Sequence, residues 1–145
     1  MQYQNAVMPN REQLEGFSKP GAEGPIYMVN LLKFKERAEY VDGRESSLTG
    51  EEAYGLYTEG VIKVLARVAG AGMFSAKVER LMLGEVEGLW DKVAIAMYPS
   101  RAAMMEMMTL PEMLEIGVHR AAGLEGQLNI ETVDAKGLWL GVEEI

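Results

Sequence analysis

Two polar side chains sit in apolar surroundings where chemistry would need them. Asn30 interrupts the run Gly24-Pro25-Ile26-Tyr27-Met28-Val29-Asn30-Leu31-Leu32-Lys33-Phe34-Lys35. A buried amide must satisfy its donors and its acceptor. Asn30 is therefore expected either to orient or polarise a ligand oxygen or to bond a neighbouring backbone group. His119 is the single histidine of the chain. Histidine is the side chain that titrates near neutrality, which makes His119 the natural general base. Its neighbours Leu114, Gly117, Val118 and Ala121 equally suit a half-buried structural residue near a helix C-terminus. Tyr54, Trp90 and Arg101 are candidates for holding an organic ligand between a sheet and a helix, because aromatics with a polar tip and a cation suit such ligands. Met104 and Met108 come from a dense cluster within a total of 11 methionines. Flexible thioethers either fill irregular core gaps or line an adaptable pocket, and both readings stand for this run.

Other chemistries lack their residues. With no Cys and one His, a nitrogen or sulfur metal site cannot be assembled. The adjacent pairs Glu51-Glu52 and Glu143-Glu144 point apart on regular structure. Gly70-Ala71-Gly72 follows a helix and has no Lys-Ser or Lys-Thr after it, so it is no phosphate loop. Ser75 and Ser100 have no triad context. No metal and no cofactor are expected. The net charge of -8 disfavours nucleic acid and anionic lipid. There is no long apolar run to span a membrane. Met1 to Asn5 show no secretory pattern, so a cytoplasmic location is expected.

The elements that must position these residues are legible from period and caps. An N-terminal arm, residues 1–24, holds a short helix beginning after Asn10. The first strand spans about residues 25–35 and carries Ile26, Met28, Asn30, Leu32 and Phe34 on one side, Tyr27, Val29, Leu31 and Lys33 on the other. Both sides are largely apolar, as in an interior strand. Residues 36–47 form a polar loop that would serve as a flap. Thr49-Gly50-Glu51-Glu52 is a capping box. The helix it opens runs to about Gly70, with Ala53, Leu56, Tyr57, Val61, Val64, Leu65 and Val68 as its apolar stripe. Strands are expected over 73–83, 89–98 and 127–133. Ser100 caps a helix over 101–108, and Pro111 starts a further helical segment to about Gly123. Trp139 lies in an extension, residues 134–145, with strand character.

Strand, helix, strand, strand, helix, strand is the ferredoxin-like βαββαβ order, an α+β fold with a four-stranded antiparallel sheet over residues 25–133. Helices on one face leave the other apolar face open. A second copy is the simplest cover, pairing two sheets into a dimeric α/β barrel.

The stretch Pro25 to Phe34 resembles the opening strand of the family known as domain of unknown function 1330. So do Trp90-Asp91-Lys92-Val93-Ala94-Ile95 running into Tyr98-Pro99-Ser100, the helix with Tyr54 and Tyr57, and the helix ending His119-Arg120-Ala121-Ala122. The resemblance covers about residues 24–133 and implies the dimeric α/β-barrel superfamily, hence a homodimer. That superfamily includes cofactor-independent monooxygenases, haem-degrading oxygenases, lactone isomerases and proteins without known activity, and fold alone does not choose among them. The haem-degrading branch would use an Asn, a Trp and a His; here the Met104 to Met108 run stands where its Trp is expected. The functional expectation is an unknown small molecule, a carbonyl or phenolic compound, bound or turned over with Asn30 and His119 as reacting groups. The alternatives are a non-catalytic dimeric binding or stress-related module, and an interaction protein working through its arm and tail.

Overall fold

The computed structural model describes residues 3–135. The expected strand character around Trp139 and the pair Glu143-Glu144 lie outside these residues. The elements are α1 (Arg11–Phe17), β1 (Ile26–Phe34), α2 (Gly50–Arg67), β2 (Ala71–Lys77), β3 (Lys92–Tyr98), α3 (Arg101–Met108), α4 (Pro111–Gly123) and β4 (Leu124–Thr132). The strands form one antiparallel sheet in the order β2-β3-β1-β4. This is the ferredoxin-like arrangement, with β1 as an interior strand.

Local chemistry explains where most elements begin. Thr49 Oγ1 accepts from the Glu52 amide at 3.1 Å, and the Thr49 amide donates to Glu52 Oε1 at 2.9 Å. Asn10 and Gln13 make the same reciprocal pair at α1, and Ser100 accepts from the Ala103 amide at α3. Pro111 occupies the first turn of α4, where its missing N–H costs nothing.

Three strand boundaries differ from the sequence expectation by three residues or more. β2 ends at Lys77 rather than Leu83. Beyond Val78, whose amide donates to Asp91 O, the chain leaves the ladder for an exposed loop that turns at Gly84, where φ is +89°. β3 starts at Lys92 rather than Leu89, because Asp91 ends the ladder: its amide donates to Leu32 O and its Oδ2 accepts from the Phe34 amide, both at 2.8 Å. β4 begins at Leu124, directly after α4. A bulge at Lys33/Phe34 and the bond from the Lys35 amide to Gly123 O carry the pairing back to the helix end.

The helices cover the face of β1 that carries Asn30. Ile26, Met28 and Tyr98 pack against Val64 and Leu65 of α2 and Met104 and Met107 of α3. A second cluster joins Leu32, Leu124 and Tyr54, with Phe34, Tyr57 and Val7 of the arm against it. Helices α2 and α4 meet backbone to backbone: a Cβ on Gly123 would strike Gly50 O and lie 3.0 Å from the Tyr54 amide nitrogen. Only glycine permits that approach. The other sheet face carries Tyr27, Val29, Leu31, Val93, Ile95 and Leu128, all half-buried, with Ile130 and Phe74 exposed. No helix covers it among the described residues. The arm reaches only one end of it, where Asn5 lies over Gly126 and Tyr3 packs on Trp90.

Candidate functional site

Strand register decides what surrounds Asn30. It stands opposite Ala94 on β3 and Asn129 on β4, and Leu32, its neighbour on the same face, stands opposite Gln127. Asn30 Nδ2 donates to Met28 O and Ala94 O, each at 3.2 Å. Its Oδ1 accepts from Gln127 Nε2 at 2.6 Å. Gln127 Oε1 in turn accepts from Arg120 Nη2 at 2.6 Å. This relay has one possible direction. Backbone carbonyls only accept, so Asn30 must offer them its amide NH2 and turn its oxygen to Gln127. Gln127 must then spend its NH2 on Asn30 and turn its own oxygen to the guanidinium. Gln127 is 8 % exposed, so each of these bonds matters.

Arg120 therefore faces inward from α4 with one corner held by the relay; Nη1 has only Met8 Sδ, at 4.0 Å. Six basic residues are paired with carboxylates, and Arg120 is one of the seven described ones that form no ion pair among the described residues. Tyr54 and Tyr57 lie close by, with Tyr98 near Tyr57. The Tyr54 and Tyr57 rings are 5.3 Å apart, and Tyr54 is also 5.3 Å from Phe34. Burial pushes all three phenols above their ordinary range; the Arg120 charge works against that rise at Tyr54 and Tyr57. All three are thus neutral donors at neutral pH. None of the three hydroxyls is a buried group left unpaired; the one such side-chain atom among the described residues is Glu112 Oε2. Arg120 and Tyr57 keep partial exposure, which leaves this part of the layer open to solvent.

The other residues singled out by sequence are placed apart from this cluster. His119, one position before Arg120, points to the 35–49 loop: its Nδ1 is 2.7 Å from the Tyr40 hydroxyl, with the rings edge to face. Arg44 stacks on Tyr40 at 4.6 Å. The loop is fastened there by bonds from Ala38 N to Leu48 O and from Glu39 N to Ala122 O. Asn30 and His119 share no hydrogen-bond partner. Arg101 is held by Glu131 through two bonds, at 2.6 and 2.7 Å. It also stacks on Phe17 and reaches the carbonyls of Gly16 and Lys19, which ties the arm to the sheet. Met104 is buried in the core and Met108 is exposed. Trp90 stands at the end of β3 beside Tyr3. There, an open cleft of about 630 Å³ is lined by Lys33, Lys35, Asp91 and Glu125 among others, and its Lys33 and Lys35 are already paired with Asp91 and Glu39. Among the described residues no group of three metal-ligating side chains occurs, and no helix is long and apolar enough to cross a membrane.

Of the four residues brought together here, sequence reasoning singled out Asn30 and Tyr54 and passed over Gln127 and Arg120. Gln127 is set apart only by the register that places it opposite the core residue Leu32, which a single strand's sequence does not reveal.

Comparison with known proteins agrees with the fold. The methylated RPA0582 protein matches with a TM-score of 0.82 and 36% identity, over 95% of this chain and 98% of that one. A second structure, of the RPA0582 protein of unknown function from Rhodopseudomonas palustris, matches with a TM-score of 0.81 and 34% identity, over 92% and 99%. The protein At3g17210 of Arabidopsis thaliana matches with a TM-score of 0.52 and 14% identity, over 76% and 95%, a likeness of fold alone. No protein-family model and no curated protein matches the sequence.

Proposed function

The chain belongs to the same family as the RPA0582 protein of Rhodopseudomonas palustris, and we propose that it is a cytoplasmic small-molecule-binding protein that works as a homodimer. The observation that carries the binding reading is the pair Tyr54 and Tyr57 beside an Arg120 that the Asn30–Gln127 relay holds toward the sheet. Polar groups converging at the solvent-open edge of an apolar layer are what a ligand site needs. The ligand lies between α2, α4 and the sheet, with Tyr54 and Tyr57 on its polar substituents and Asn30 acting through Gln127 to position Arg120. The finer family assignment, to the domain of unknown function 1330, is supported by the residues Pro25 to Phe34 and Trp90 to Ser100.

The homodimer is supported by the half-buried apolar side of β1 and β3 and by the exposed Phe74, Met82 and Leu83 at the β2 end of the sheet. A two-fold axis would lay this surface on its own copy, the usual closed solution. Sedimentation equilibrium is expected to give a dimer at micromolar concentration; a folded monomer there would remove this part. The binding reading is tested by thermal shift with a panel of small carbonyl and phenolic compounds. A ligand at a hundredfold excess over its Kd stabilises by about 2.7 kcal/mol. Hits are expected to lose their effect in Tyr57→Phe or Tyr54→Phe. Hits that stabilise both variants as well as wild type would place binding elsewhere.

A second reading, a cofactor-independent oxygenase or isomerase, is favoured by the short Tyr40–His119 contact. A histidine held by a phenol is a proton-handling pair, with His119 as base. Incubating each hit in D2O decides it: His119-dependent loss of a ligand C–H signal supports turnover, and unchanged signals favour the non-catalytic module.

A further inference from the structure

We infer that the ligand of this site carries an anionic oxygen, an organic carboxylate, and that Arg120 is the residue that receives it. The inference rests on the binding reading above and narrows its chemical class. Three observations support it. The site offers a guanidinium and the hydroxyls of Tyr54 and Tyr57, all able to donate to an anionic oxygen, with no carboxylate paired to Arg120 among the described residues. The whole chain has 22 acidic residues against 14 basic ones. An inward-facing arginine left without an acid in so acidic a protein is therefore not short of candidates. The guanidinium is also aimed. The relay from the Met28 and Ala94 carbonyls through Asn30 and Gln127 ends on one Arg120 nitrogen and restrains where the guanidinium lies. Guanidinium has five N–H donors in a rigid plane, and carboxylate is the acceptor that matches it two bonds at a time. A neutral carbonyl would accept from one donor and leave the charge to solvent, without the paired, charge-assisted bonds of a carboxylate.

This assigns Asn30 and Gln127 as positioning residues. They touch no ligand atom, and they hold Arg120 where the carboxylate and the tyrosines meet.

The test uses matched pairs: benzoate against benzamide, and hexanoate against hexanamide. Binding to the full-length protein is measured by calorimetry, and the site is mapped by amide and arginine side-chain NMR shifts. Each carboxylate is expected to bind about tenfold or more tighter than its amide. The shifts are expected on Tyr54, Tyr57 and the Arg120 side chain. Arg120→Gln is expected to erase the preference while leaving the amide's affinity in place. If that variant does not fold, Gln127→Met keeps the charge and frees its orientation; carboxylate affinity should fall and amide affinity should not. Equal binding of acid and amide at these residues overturns the anion assignment and leaves the binding site standing. Shifts confined to other residues, or no binding of either partner in both pairs, overturn the site and the assignment together.

Discussion

The relay from backbone to Arg120 can be tested without any ligand. Asn30→Leu and Gln127→Met each keep the side chain's approximate size and remove its polarity. In Asn30→Leu, Gln127 Nε2 loses the acceptor it holds at 2.6 Å. Gln127 is only 8 % exposed, so water replaces little of that loss. A buried group left unpaired costs about 1–3 kcal/mol. In Gln127→Met, Asn30 Oδ1 and one Arg120 N–H lose their partner together; Arg120 is part-exposed and recovers by hydration, so the cost is again about 1–3 kcal/mol. Simple addition would give about 2–6 kcal/mol for the double variant. The double variant, however, removes both ends of the Asn30–Gln127 bond and strands neither. It should fall short of the sum by about 1–2 kcal/mol, the size expected for residues in one network. Urea unfolding at one fixed protein concentration measures all four corners of the cycle, the fixed concentration removing any contribution of self-association. Additive losses within about 0.5 kcal/mol would mean that the two amides do not depend on each other, and the directional argument for Arg120 would fall with them.

Three further outcomes are expected. Arg101 holds the Glu131 carboxyl below the ordinary glutamate value of 4.5; a depressed folded-state pKa contributes stability above the unfolded value and loses it as pH falls, so the deficit of Glu131→Gln should be present at pH 7 and shrink below about pH 4.5 in urea melts. Gly55 has open space at its Cβ position, and Gly55→Ala should stabilise by about 0.5–1 kcal/mol, whereas Gly123→Ala, which would drive a methyl into Gly50 and Tyr54 backbone, should lose more than about 3 kcal/mol or fail to fold. Met107→Ala should cost about 2–5 kcal/mol, because Met107 is 2 % exposed, while exposed Met108→Ala should stay within about 0.5 kcal/mol of wild type by thermal or urea melts.

Much of the fold is legible because its signals are local. The Thr49 box, Ser100 and Pro111 announce helix starts through bonds within one turn. β1 announces itself by its apolar run, and the side bearing Asn30 proves to be the helix-covered one. The strand ends are less legible because they depend on other strands. Leu89 and Trp90 read as strand by composition, yet the ladder ends at Asp91 because its carboxylate, not its neighbours' backbone, serves the Phe34 amide. The site has the same limit. His119 draws attention by its residue type, but its partner is Tyr40 of a loop. Arg120, beside it, carries no distinguishing sequence signal. Its importance comes from the register that sets Gln127 opposite Leu32, and a register is a property of two strands at once.

The adjacency of His119 and Arg120 has a geometric consequence. Successive residues on a helix point about 100° apart, so one position of α4 meets the sheet while the next meets the 35–49 loop. The depth of the first is set by glycines. Gly123 and Gly50 let the ends of α4 and α2 touch, and a Cβ on Gly60 would lie 2.6 Å from Ile116 Cγ2. These contacts bring Tyr54 and Tyr57, which lie between Gly50 and Gly60 on α2, near to Arg120 on α4. The second direction is governed by the loop, whose Tyr40 covers His119 while Glu39 holds the end of α4. A ligand that bridges the two directions would have to move Tyr40; one confined to the Arg120 side would leave the Tyr40–His119 bond intact. The NMR signals of the His119 ring in the presence of benzoate therefore separate binding from proton transfer within a single titration: a ring that does not respond leaves the protein a receptor, and a ring that does makes the loop part of the site.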